Sequence, residues 1–311
     1  MAIFWSQSAS NGMNDFDLQI QSSASDGKYA PGVLVKRAAA LGLKTIAITD
    51  HDTVFGVAEA ISVGEDCGVE VISGVELSTN DGKASFHFLG FGIDHKNTEL
   101  ASVLADVRKE RVTRAQEIVG RLQKAGFRIT YEDVLRHATG SSVGRPHIAQ
   151  ALIANPENKK FLGEGASVKS VIEGYLVLGK PTYVERESIS VESAIDITHR
   201  AGGVAVWSHP AIHGLDFLQF EKLAQKFIGW GLDGLEAFNP AQTEEQVKFL
   251  YGLAEKYDIL KTGGSDFHTD ETKNARTEGG TELASFLTYG LDVSGIVPKL
   301  KDAIARKKKE T

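Results

Sequence analysis

Residues 31–78, PGVLVKRAAALGLKTIAITDHDTVFGVAEAISVGEDCGVEVISGVELS, decide the fold class. Pro31 opens a helical stretch and Gly42 stands just past its end, the usual asymmetry of helix termini. TIAITD (45–50) is a short apolar run of buried-strand type, VFGVAEAISVGEDCG (54–68) returns to helical patterning, and VEVISGVEL (69–77) is a strand again. Outward from this core, DFDLQIQ (15–21) reads as a strand before the first helix, and SFHFLGFGI (85–93) follows the last strand, then a turn. Strands alternating with helices predict an α/β fold with a parallel sheet and helices outside it.

The pattern changes near Lys96. Leu100, Val103, Leu104, Val107, Val112, Ala115, Ile118, Val119 and Leu122 recur at helical spacing along one long amphipathic helix, and further helical stretches run to about Lys180. β/α units resume at GGVAVWSHP (202–210), continue through GLDGLEAFN (231–239) and close with ILKTGGSDFH (259–268). The expected organisation is a βα barrel built from 15–95 and 186–311, interrupted by a helical insertion at 96–185. Residues 1–14 lack the charged start and apolar run of a signal peptide and read as a disordered tail, with Met13 a candidate original start. Lys307, Lys308 and Lys309 end a helical stretch, where cations suit the helix dipole.

With 311 residues, 42% of them hydrophobic and 24% charged, the chain can bury a large core. Net charge is −7, so no global field gathers long nucleic acid, and a nucleotide partner needs a local basic pocket. Cys67 is the single cysteine, which excludes an internal disulfide and a cysteine-based zinc site and suits a reducing cytoplasm. No apolar run approaches the roughly 20 residues of a membrane span.

Chemistry-bearing residues sit at strand ends. Asp50 and His51 end TIAITD, Glu76 ends VEVISGVE, His87 lies in SFHFLG, His209 ends VAVWSH, and Asp266 and His268 end the last β/α segment. The carboxyl ends of parallel strands share one face, where active sites are built. Imidazoles and carboxylates meeting there are the donor set of manganese, iron or zinc, able to acidify a water and clamp a phosphoryl group. His95, His137, His199 and His213 fall outside this pattern and read as structural or surface residues.

In order, DLQIQSSASDG, AITDHDT, GVELS, FHFLG, WSHP and GSDFH resemble the motif series of the polymerase and histidinol phosphatase (PHP) family, over about residues 15–270. The likeness is strongest to its stand-alone phosphoesterases acting on nucleotides and short oligonucleotides. SSVGRPHIAQAL and YLVLGKPTYV, inside the insertion, are similar to segments of the same enzymes. The resemblance implies a distorted, TIM-like, seven-stranded PHP barrel with three divalent ions on one face and a helical cap over its mouth. Asp26, His51 and His268 would hold one ion. Glu76 would bridge to a second completed by His87 and His209. The third would take Glu76, Asp266 and two histidines of an opening H-x-H, where this chain has Gln19 and Gln21. Both still aim at the site, being two apart in a strand. A neutral amide is a poorer ligand than imidazole for these metals, so that site is expected empty or weakly filled and the other two intact.

Arg145 (in GRPH) and Lys180 (in GKPTY) are the expected phosphate contacts, with His147 facing either the same cleft or a structural role. Ala211, Ile212 and His213 stand where many relatives carry an arginine after the His-Pro segment. Asp17 and Asp50 are read as residues that orient the ligands. Gly263 and Gly264 allow a tight approach, but no Gly-Lys-Ser/Thr follows and no P-loop is present. The resemblance implies hydrolysis of a phosphate ester on a nucleotide or short oligonucleotide by water activated at the metals. Two other readings stay open: a phosphatase of a small metabolite such as histidinol phosphate, and an inactive module that binds nucleotide or a protein.

Overall fold

The structure is a computed structural model that describes residues 14–81, 84–138, 140, 142–185, 188–270 and 279–310. Of the expected tail, 1–13 lie outside these. Seven strands form the barrel: β1 (Phe16–Ile20), β2 (Thr45–Ile48), β3 (Glu70–Asp81), β4 (Ala84–Phe91), then, after the two-residue β5 (Ile189–Ser190), β6 (Val204–Trp207), β7 (Gly234–Phe238) and β8 (Leu260–Gly263). The order is β1-β2-β3-β4-β6-β7-β8, with β5 paired to the far end of β3. Helices α1 (Pro31–Leu41) and α2 (Val57–Cys67) connect the first three strands. α8 (Val191–Arg200), α9 (Phe217–Gly229), α10 (Glu244–Lys256) and α11 (Ile296–Glu310) surround the second half.

The alternating rhythm holds for four neighbouring pairs, β1–β2, β2–β3, β6–β7 and β7–β8, all parallel. It fails at β4, which runs antiparallel to both β3 and β6, so the sheet is mixed. Two residues separate β3 from β4. A parallel return needs a crossover of a dozen or more, so only an antiparallel pairing is available. The reversal places His87 opposite Ser78, two residues on from Glu76.

β1 and the exit of β8 nearly close the ring. Ile20 pairs with Phe267, and Gln21 N–H donates to the Phe267 carbonyl at 2.9 Å. Gly264 permits this approach, since a Cβ there would stand 2.4 Å from the Gln19 nitrogen. Asp17 locks the seam: Oδ1 accepts from the Ser265 N–H at 2.8 Å, and Oδ2 accepts from Ser265 Oγ at 2.6 Å and the Ala284 N–H at 2.7 Å. Around the ring, the largest apolar cluster packs Trp207, Phe86, Phe88 and Phe227 with the helices that follow, Trp207 and Phe227 meeting edge to face at 5.1 Å.

Between β4 and β5 the described elements are helical: α3 (Thr98–Lys124), α4 (Tyr131–Leu135), α5 (Arg145–Ala154), α6 (Lys159–Leu162) and α7 (Val168–Tyr175), with one short 3-10 turn at Pro156–Asn158. The long helix α3 is capped by Asn97, whose side chain accepts from the Leu100 N–H at 2.9 Å. Its first half packs Leu100 and Leu104 against Val75, Leu77 and Ile197 of the barrel. Its second half packs Ile118, Val119 and Leu122 into a separate cluster with Val134, Ile148, Leu152 and Val168. One helix therefore carries a second apolar core away from the barrel wall.

Asp17→Asn tests the seam, because an amide offers one accepting oxygen where the carboxylate offers two. Stranding buried N–H donors costs about 1–3 kcal/mol each. Urea unfolding at pH 7.5 should show a loss of about 2 kcal/mol or more. A loss under about 0.5 kcal/mol, the size of an ordinary surface change, would mean the ring closes without this residue.

Candidate active site

Glu76, fully buried inside β3, which runs on to Asp81 rather than ending there, is where His51, His87 and His209 meet. Its Oε1 lies 2.9 Å from His87 Nδ1 and 2.9 Å from His209 Nε2, and those two nitrogens are 3.4 Å apart. Oε2 accepts from the Gln21 amide at 2.6 Å and lies 3.4 Å from His51 Nδ1. Ser208 Oγ adds a contact of 3.3 Å to Oε1. The group is electrostatically demanding. Burial would raise the Glu76 carboxyl, but the charges of His51 and His87 and the hydrogen bonds from His209 and His87 hold it well below the usual carboxylate range. Burial likewise opposes charging His209, yet the Glu76 hydrogen bond and charge, with Asp266 and Glu236 beyond, push its pKa up to about 10.

Such a set fits a divalent ion. Ligands about 2.1 Å from a tetrahedral ion stand about 3.4 Å apart, and the Glu76, His87 and His209 donors are spaced on that scale. Two groups of donor atoms lie within 4.8 Å of one another, Asp26–His51–His268 and His51–Glu76–His87. His268 Nδ1 donates to the Asp266 carbonyl at 2.7 Å, which turns Nε2 toward Asp26 Oδ1 at 3.5 Å. His209 Nδ1 is buried with no hydrogen-bond partner among the described residues. The backbone is bent to make this arrangement. His209, Asp266 and Asp52 take positive φ (27°, 47° and 53°), a conformation that costs non-glycine residues free energy and clusters at working sites.

The remaining sequence candidates divide. Asp50 accepts from Ser22 N–H, Ser22 Oγ and Ser25 Oγ, each at 2.7 Å, and so fixes the loop that carries Asp26. Asp17 does the same for Ser265, ahead of Asp266. Neither bonds a candidate ligand side chain in these contacts; each holds the backbone that presents one. Gln19, with its amide set to satisfy its neighbours, donates to Glu236 Oε1 (2.6 Å) and Oε2 (2.9 Å) and accepts from Ser208 Oγ (3.0 Å). His147 accepts the Gly144 N–H at 3.1 Å through Nδ1, closing the start of its own helix. Lys180 is exposed after α7 and is not among the residues lining the cleft beside the histidines. His199 pairs with Asp233 at 2.7 Å and His213 stacks edge-on against Phe86, both away from the candidate ligands.

That cleft is lined by His51, Asn80, Ser85 and His87 from the barrel and by Arg111, Arg114, Arg145, Tyr183 and Glu185 from the helical segment. Sequence reasoning found Arg145 and missed Arg111 and Arg114, which sit one turn apart on α3. Arg111 is held by Asp52 (Nε to Oδ2, 2.7 Å) and Ser78 (Nη2 to Oγ, 2.9 Å), and Arg114 donates to the Val184 carbonyl at 2.9 Å. Glu236 was also missed. It accepts the His209 N–H at 2.7 Å, and burial, reinforced by Asp266 and Glu76, raises its pKa well above the usual value. A lone acid within the apolar strand GLEAF was the available signal.

The family model described as the PHP domain matches residues 17–185, more than half of the chain. The chain belongs to the PHP-domain family. A 5'-3' exoribonuclease of Haemophilus influenzae is 34% identical over 253 residues, covering 81% of this chain and 89% of that protein. A 3',5'-nucleoside bisphosphate phosphatase of Chromobacterium violaceum is 30% identical over 272 residues, covering 87% and 91%. Among solved structures, an amidohydrolase from Chromobacterium violaceum, with sulfate bound and no metal, superposes with a TM-score of 0.79 at 27% identity, covering 93% of this chain and 96% of that one. With the nearly closed seven-strand barrel and the His/Glu/Asp cluster, these relationships make the protein a metal-dependent phosphoesterase, a hydrolase of phosphate esters. No described helix is long and apolar enough to cross a membrane.

The Glu76–His209 pair predicts a pH signature in metal-free protein. The folded pKa of His209 lies above its ordinary 6.5, so the stabilisation is complete below pH 6.5 and is lost as pH rises through about 10. Imidazole NMR should show His209 protonated at pH 8. In Glu76→Gln, burial acts with its main opponent removed and the pKa should fall toward 6.5 or below. Titration of the unsubstituted protein near 6.5 would refute the pairing.

Proposed function

We propose that this chain hydrolyses a phosphate ester of a nucleotide or short oligonucleotide at a centre of two divalent ions, not three. The observation that carries the reading is one buried carboxylate, Glu76, ringed by His51, His87 and His209 at the wall of a cleft with three guanidinium groups. Asp26, His51 and His268 would hold one ion of manganese, iron or zinc, and Glu76, His87 and His209 the other. Ions bound there acidify a water and neutralise phosphoryl oxygens. The chain's own residues do the rest. Arg111, Arg114 and Arg145 offer planar, bidentate donors to the phosphate. Asp52 and Ser78 keep Arg111 pointed, so little rotamer entropy is lost on binding. The segment 96–185, on this reading, acts as a cap that completes the phosphate grip.

A third ion suits the residues poorly. Gln21 donates its amide N–H to Glu76, and Gln19 donates to Glu236. Each amide gives the nearby carboxylate a partial positive charge where an H-x-H pair would offer a lone pair to a metal. The same feature favours a second reading, a module that binds phosphate esters without turnover. The relatives' activities on a nucleoside bisphosphate and on RNA support a nucleotide substrate for the first reading, and Cys67 as the single cysteine suits a cytoplasmic setting.

Elemental analysis should find up to two ions per chain in the unsubstituted protein and one more in the Gln19→His/Gln21→His form. Turnover of a nucleoside 3',5'-bisphosphate should rise at least about a hundredfold in the double variant, the size of one preorganised electrostatic contact. Fast turnover before the change and no gain after it would show that the two-ion centre is complete. No metal in either form would sink the metal assignment.

Arg145→Ala should weaken nucleoside monophosphate binding about ten- to a hundredfold by calorimetry, as expected for a charge-assisted contact. Unchanged affinity would return Arg145 to ordinary surface charge.

A further inference from the structure

Phe55 has no place in the apolar clusters. It lies in the loop between β2 and α2, four residues after His51, and is 66% exposed, the most exposed phenylalanine, tyrosine or tryptophan ring among the described residues. Its neighbours behave oppositely. Val54 and Val57 are buried, and a Cβ at Gly56 would stand 2.8 Å from Asp50 Oδ2. The loop is pinned on both sides of a ring that stays in solvent.

The ring is accompanied by a cation. The Arg108 guanidinium lies 4.9 Å from its centroid, and Arg108 Nη1 donates to the Asp52 carbonyl at 2.9 Å. One helical turn further, Arg111 binds the Asp52 carboxylate and lines the phosphate cleft. That turn spans only about 4.5 Å along the axis. Asp52 thus ties two arginines into one ladder, the first beside an exposed aromatic face and the second beside the cleft.

We propose that Phe55 and Arg108 form a stacking platform for the nucleobase of the ligand whose phosphate occupies the arginine-lined cleft. The proposal rests on the phosphate reading of that cleft given above. An aromatic face joined to a guanidinium, next to an anion site, matches the two surfaces of a nucleotide, its π-face and its phosphate. Stacking accepts any base, so the platform adds affinity for nucleotides over other phosphate esters without selecting among bases. The pinned loop means that little ordering entropy opposes the contact.

Adenosine 5'-monophosphate and ribose 5-phosphate differ only at the anomeric carbon, which carries adenine in one and a hydroxyl in the other, and calorimetric titration of the metal-loaded protein with each measures the platform. The nucleotide should bind more tightly. Phe55→Ala should lower the ratio of the two affinities roughly tenfold or more, and Phe55→Trp should preserve it. A ratio unchanged in Phe55→Ala, while Arg145→Ala weakens both ligands, would overturn the platform and leave the phosphate site standing. A ratio near one in the unsubstituted protein would do the same. If neither ligand binds, the phosphate reading fails and the platform fails with it.

Discussion

A carboxylate with no solvent exposure sits at the mouth of this barrel, and the arrangement around it follows from the need to compensate that charge. Burying an isolated ion costs several kcal/mol, so Glu76 requires cations and hydrogen-bond donors on every side. His87 and His209 approach one oxygen, Gln21 and His51 the other. Each arrives from a different strand or strand end. The antiparallel turn of β4 is what brings His87 within reach, and the strained φ of His209 is what aims its ring inward.

The same requirement explains the glutamines. A region holding Glu76, Glu236 and Asp266 together repels further negative charge and invites a cation or a proton. Where the family pattern would place imidazoles and an ion, this chain places amide N–H groups against Glu76 and Glu236, and a raised pKa favours a proton on Glu236 itself. Both offset the negative charge gathered there. Glutamines at positions 19 and 21 are therefore compatible with an intact fold, because each satisfies the buried carboxylate it faces.

The barrel and the helical segment are joined at the site itself. Asp52, held in a left-handed conformation next to His51, accepts from Arg111 and from the Ser78 N–H, while its carbonyl takes Arg108. Helix α3 is consequently fixed to the barrel by its buried leucines below and by two arginines at the mouth. Arg111, one of the cations that line the cleft, is thus positioned by the residue beside a candidate metal ligand, which couples the cleft wall to the geometry of the cluster.

Local information was enough for part of this. Period-3.6 and period-2 patterning gave most elements close to their observed limits, and imidazoles and carboxylates at strand ends, in family order, marked the residues that gather at Glu76. Gln19 and Gln21 were legible as a departure from the H-x-H pattern, and their spacing of two, in β1 and just past its end, carries them to the same face. The direction of β4 was not legible in its alternation, since alternation is identical for either direction; only the two-residue spacing from β3 decides it. Glu236 passed as part of an apolar strand. Arg111 and Arg114 passed as the polar face of an amphipathic helix, whereas Lys180, singled out by motif, stands outside the cleft. Which cation on a charged helix face meets a cleft depends on how that helix packs against strands far away in the chain. Sequence periodicity is set by neighbours along the chain and tertiary packing by neighbours in space: the first, with the family motif order, marked the elements, the candidate ligands and Arg145, and the second alone chose Arg111, Arg114 and the partners of each buried charge.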